Sequence, residues 1–131
     1  MNLYTIMTKT TSQWVKENVK VYVLYDHTAR VEFKAEDRHG DAREAYLVNR
    51  KEGTSYLTDD GLVLQDLEQA GLNLEEDGLV LNAISALTEK HGVRLTEDRE
   101  LLAECGEADF AEKAQALLQC MTEAEALAEQ A

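Results

Sequence analysis

Asp59 and Asp60 are the acidic pair most suggestive of chemistry, because adjacent carboxylates can share a proton or hold Mg²⁺. Adjacent residues on a turn usually point apart, however. The string Thr58-Asp59-Asp60-Gly61 precedes an apolar stripe of Val63, Leu67 and Ala70. That is the pattern of a helix entry, where an Asp oxygen accepts from free N–H groups of the first turn and its charge suits the positive end of the dipole. On the cap reading, replacing both residues by Ala costs about 1–2 kcal/mol. His27, His39 and His91 are isolated and lack the i, i+4 partner of a zinc-binding helix. His91 suits a cation at a helix C-terminus. Cys105 and Cys120 are separated by fourteen intervening residues, with no C-x-x-C, and read as ordinary thiols. No P-loop, G-x-G-x-x-G or G-x-S-x-G occurs. The expectation is a protein that is not an enzyme and takes no metal or cofactor.

Charge is the other chemical resource. The chain carries 26 acidic and 13 basic side chains, a formal net charge of −13. Residues 1–65 hold ten acids against nine bases, whereas residues 66–131 hold sixteen acids against four bases. Almost the whole excess therefore lies in the second half, which disfavours contact with nucleic-acid phosphates. The bases of the first half, among them Lys9, Lys16, Lys20, Arg30, Lys34 and Arg38, alternate with Glu17, Asp26, Glu32, Glu36 and Asp37, so they form no positive stripe. The outward acids Glu75, Glu76, Asp77, Glu97, Asp98, Glu100, Glu104, Glu107, Glu112 and Glu123 are the candidate partner-binding residues. A negative face of this kind meets a positive face on a protein partner.

The elements that must position these residues follow from texture. Seven of eight aromatics precede residue 57, and the second half is dominated by Leu, Ala, Glu and Gln. The first half thus favours strands and the second helices. The predicted fold is one α+β domain over 1–131, with a small antiparallel sheet of three or four strands from the N-terminal half. Three helices, mostly from the C-terminal half, pack on it, and a short second hairpin is added. Thr11-Ser12 caps a short helix carrying Trp14. Val19 to Tyr25, Ala29 to Lys34, Ala45 to Asn49 and Ser55 to Thr58 read as strands, the first pair turning at Asp26-His27-Thr28 and the last at Lys51 to Thr54. Glu36 to Arg43 reads as a loop. Gly71 and Gly92 end helices in left-handed positions. Val93 to Leu95 and Leu101 to Ala103 form the second hairpin around Glu97-Asp98-Arg99. From Asp109 a long helix buries Phe110, Ala114, Leu117, Leu118, Met121, Ala124 and Ala128, with Glu112, Gln115, Gln119 and Glu123 outward.

The block Tyr56-Leu57-Thr58-Asp59-Asp60-Gly61 with Leu64-x-x-Leu67-x-x-Ala70-Gly71 resembles an uncharacterised domain family of bacteria and phages. Leu81 to Leu95 and Asp109 to Leu118 are similar to later parts of that pattern. The resemblance covers roughly residues 45–128, with Glu36 to Arg43 departing from it, and it implies the hairpin–helix–helix–hairpin–helix order and a prokaryotic or phage origin, with no assigned activity.

In size and charge the chain resembles small acidic anti-CRISPR and anti-restriction proteins. The expected function is a non-enzymatic inhibitor that occupies the basic groove of a nucleic-acid-handling defence complex. The alternative is an antitoxin-like or house-keeping module that binds through an apolar helix face. No apolar run approaches the ~20 residues of a membrane span, and no basic segment precedes an apolar one at Met1, so a cytoplasmic location in a bacterial host is expected. The Ala124-Glu125-Ala126-Leu127-Ala128 end leaves a homodimer open.

Overall fold

Strict alternation in the first half sets which face of each strand is apolar, and that face recruits the helices. The computed structural model describes residues 12–25, 27–50 and 55–130. Helix α1 (Gln13–Asn18) starts at Ser12, whose hydroxyl accepts from the Val15 amide at 3.2 Å. Strands β1 (Val19–Tyr25), β2 (Thr28–Glu36), β3 (Ala42–Val48) and β4 (Ser55–Thr58) follow as antiparallel neighbours. Helices α2 (Leu62–Gln69) and α3 (Leu79–His91) come next, then strands β5 (Arg94–Leu95) and β6 (Leu101–Cys105). Helix α4 (Phe110–Glu125) runs into a 3₁₀ turn (Ala126–Gln130). Thr11, Asp26 and Lys51 to Thr54, named above in a cap and two turns, lie outside the described residues, as does Lys9.

The second hairpin is part of the main sheet. Strand β6 pairs with β4 (Leu57 opposite Ala103), giving one six-stranded antiparallel sheet ordered β1-β2-β3-β4-β6-β5. Ala29, Val31, Phe33, Ala45, Leu47, Leu57, Leu101 and Ala103 point to one face and are buried. Onto them pack Val63, Leu64 and Leu67 of α2, Ile84 of α3, and Phe110, Ala114, Leu117, Met121 and Ala124 of α4. Trp14 of α1 lies 6.5 Å from Phe33, centroid to centroid, closing the same layer at its β2 end. The opposite face carries a cross-strand row of Tyr22, Arg30, Tyr46, Thr58, Leu102 and Arg94.

The segment Glu36 to Arg43 is a loop only over Asp37–Asp41. Strand β3 begins at Ala42, three residues earlier than the predicted Ala45, and ends at Val48. The reason is Arg43, which is buried under the sheet because Glu125 at the end of α4 accepts from its Nη1 at 3.0 Å. Both predicted helix stops hold: Gly71 and Gly92 take φ of 96° and 68°. At Gly71 the Leu72 amide closes back on the Leu67 carbonyl at 3.1 Å, satisfying an end carbonyl of α2. Among the described residues no helix is long and apolar enough to cross a membrane.

Candidate functional site

Asp59 is the structural hinge of the acidic end of the molecule. It is fully buried, and its Oδ2 accepts from the Val63 amide of α2 at 3.0 Å. Its Oδ1 accepts from the amides of Gly61 and Leu101, both at 2.9 Å. One carboxylate thus caps α2 and also ties that helix to β6. Burial pushes its pKa up, while the three N–H donors pull in the opposite direction. Asp60 beside it is exposed and points elsewhere, so the two do not form a shared site. Asp60 also takes a left-handed φ of 59°.

The same end collects the loops that follow. Arg99, in the β5–β6 turn, donates to the Leu74 carbonyl at 3.1 Å and to Glu68 at 3.3 Å. It therefore clamps the α2–α3 loop against the β5–β6 turn. Glu75, Glu76 and Asp77 in the loop are brought to the same end as Glu97 and Asp98 in the turn, all of them exposed. Gly78 closes this loop tightly, since a Cβ there would lie 2.9 Å from the Glu75 carbonyl. Asp60, Asp77 and Arg99 are the three non-glycine residues with positive φ among the described residues; Asp77 and Arg99 sit in these two loops and Asp60 in the β4–α2 turn. Left-handed backbone at non-glycine positions costs on the order of 1 kcal/mol each and persists where surroundings over-determine it.

The remaining predicted acids are distributed differently. Glu100 is half-buried, and its Oε1 accepts from the Thr58 hydroxyl at 2.7 Å, so its carboxylate is committed inside the fold. Glu123 is outward, as expected, with its side chain 38% exposed, but it is paired on the surface. Lys90 donates to it at 2.8 Å and His91 is bonded to its other oxygen, which joins α3 to α4 and holds its pKa below the usual carboxylate range. Glu104 projects from the open face of β6, while Glu107 and Glu112 lie beyond the far end of that strand. Five residues of β6 separate Glu107 and Glu112 from the Arg99 end, roughly 16 Å of strand. The ten predicted residues therefore do not make one surface, although five of them lie on the two loops that Arg99 joins.

Sequence reasoning missed a second ionic group. Glu125 accepts from Arg43 and from the Arg38 amide at 2.5 Å, and Arg38 and His39 both bond Asp66 of α2 at 2.7 Å. The Arg38 guanidinium holds the Asp66 carboxyl below its ordinary value. His39, Arg43, Asp66 and Glu125 line a cleft of about 610 Å³ between the β2–β3 loop, α2 and the end of α4. Glu125 had no sequence signal, since its position on the α4 wheel borders the apolar stripe and its partner lies 82 residues away. Cys105 and Cys120 are both free and buried. Burial pushes their thiols up to about 12 and about 11, far from a reactive thiolate. Among the described residues no three His, Cys, Asp or Glu side chains are grouped as a metal ion would need.

The class defined here is a single-sheet α+β domain whose buried carboxylate and clamping arginine gather acidic loops at one end. The chain belongs to the family of the domain of unknown function DUF1828, whose model matches residues 35–123. That span begins inside β2 and includes the Glu36 to Arg43 segment. No curated protein and no solved structure matches the chain.

Proposed function

We propose that this is a non-enzymatic acidic binding protein, of phage or mobile-element origin, that inhibits a nucleic-acid-handling defence complex by occupying its positively charged groove. The observation that carries this reading is the Arg99 clamp, which holds Glu75, Glu76 and Asp77 beside Glu97 and Asp98 on strained, tightly bonded loops. A groove that tracks phosphates offers Lys and Arg at fixed spacing, and carboxylates on a rigid frame compete for them without an ordering cost. Glu100 and Glu123 drop out of the contact set because their carboxylates are already bonded within the chain. The helix-face alternative is left with α3, where Leu79 is exposed and Val80, Leu81 and Leu87 are partly buried, because the stripes of α2 and α4 are buried.

The test is displacement of a labelled single strand from purified defence-system effector complexes. Glu97→Lys with Asp98→Lys is compared with Glu107→Lys plus Glu112→Lys, so that total charge is equal and only position differs. The first pair should slow association roughly tenfold and remove much of its salt dependence. The second pair should behave like the parent. Displacement by neither parent nor variants, or equal behaviour of the two pairs, removes this function.

A further inference from the structure

Strand β1 ends the sheet, and among the described residues it has no neighbour on its outer side. Its last four residues, Tyr22, Val23, Leu24 and Tyr25, are 39%, 49%, 46% and 70% exposed. An edge strand offers a row of unpaired N–H and C=O groups, and proteins usually blunt it with charge, proline or a short length. Here the seven residues contain one charge, Lys20, and no proline, and the ladder with β2 is regular from Val19 to Val23 before a bulge. The other edge, β5, has two residues and lies beside the acidic turn.

We propose that β1 is a self-pairing edge: two copies of this chain join β1 to β1 antiparallel, making one continuous twelve-stranded sheet with both helical layers on the same side. This goes beyond the binding role proposed above and does not depend on it. Two features identify a second copy as the occupant. The strand is self-complementary, because with Val21 or Tyr22 on the two-fold axis Lys20 faces Tyr22 or Leu24 of the other strand and never the other Lys20. The charge is also arranged for it. The first half of the chain is nearly neutral, and the acidic loops lie at β6, four strand spacings from β1. In the paired sheet the two β6 strands are nine spacings apart, about 43 Å at about 4.8 Å each. That is several times the ~8 Å screening length at physiological salt, so two chains of −13 meet without bringing their acids together. Pairing through β5 would instead press acid against acid.

Sedimentation velocity of the full chain over a concentration series tests this, with Val23→Lys and Leu24→Lys as variants. Both positions are about half exposed, so each variant keeps the parent's melting temperature, which circular dichroism checks. The parent should be a dimer at micromolar concentration, and each variant should raise the dimer dissociation constant at least about tenfold by placing a charge among the apolar residues of the join, Leu24→Lys also facing Lys20 when Tyr22 lies on the axis. Amide exchange at Val19–Val23 should slow as the parent's concentration rises. A parent that stays monomeric to about 100 µM overturns the proposal. So does a dimer that both variants form as tightly as the parent, or exchange at β1 that ignores concentration.

Discussion

Replacing Asp59 by Ala should be the most damaging single change at the acidic end, and its cost follows from the three amides it satisfies. The carboxylate accepts from Gly61, Val63 and Leu101, and it is fully buried. Hydrogen bonds to a charged acceptor contribute about 1.5–3 kcal/mol each, and a buried donor left without a partner costs about 1–3 kcal/mol. Water entering the space vacated by the side chain recovers part of this, and the carboxylate's own desolvation penalty is relieved. The net expected loss is about 3–5 kcal/mol. That exceeds the 1–2 kcal/mol of a simple cap, because a helix start and a strand share one acceptor. For a domain of this size roughly 3–4 °C of melting temperature corresponds to each kcal/mol, so the midpoint should fall by about 9–20 °C. Asp60→Ala should cost less than about 1 kcal/mol, since Asp60 is exposed and its bond to the Thr58 hydroxyl is made by the backbone. Urea unfolding followed by circular dichroism measures both. Asp59 also sets a pH signature. Burial raises its pKa in the folded state, so its contribution is complete below the ordinary carboxylate value and is lost as pH rises through the raised one. The stability advantage of the parent over Asp59→Asn should therefore shrink as pH rises through the window just above 3.8. An advantage that widens over that window would mean the three N–H donors outweigh burial. An Asp59→Ala chain melting within a few degrees of the parent, or an Asp60→Ala chain losing as much, would refute the hinge role outright.

Glu125→Leu should cost about 3–5 kcal/mol by leaving Arg43 buried and uncompensated, and Arg43→Met with Glu125→Leu should recover most of it; a double-mutant cycle from urea melts reads the coupling. Cys105 and Cys120 should resist a thiol-specific alkylating reagent at pH 8 in the native chain and both react in denaturant, as counted by mass spectrometry, because burial raises both thiols to about 11 or above.

Local features were legible in the sequence wherever a side chain reports its own environment. The alternation of Ala29, Val31 and Phe33 with Arg30, Glu32 and Lys34 fixes β2 and its buried face, and Gly71 and Gly92 stop their helices because only glycine takes the left-handed cap at no steric cost. Asp59 as a helix cap was legible for the same reason, since the groups it satisfies lie two and four residues away. Its third bond was not, because Leu101 is 42 residues distant and only the pairing of β4 with β6 brings it there. The early start of β3 was hidden by Arg43, a charged residue that belongs in a loop until Glu125 arrives to neutralise it. Availability of the acids was likewise half legible: a polar residue on a helix or turn stays unpaired unless something across the fold claims it, as Lys90 and His91 claim Glu123 and Thr58 claims Glu100. The sequence by itself determined the element order, the buried faces and the concentration of charge in the second half. Tertiary structure alone decided which of those charges stand together, because long-range pairs depend on strand order and helix docking, and neither has a local signature.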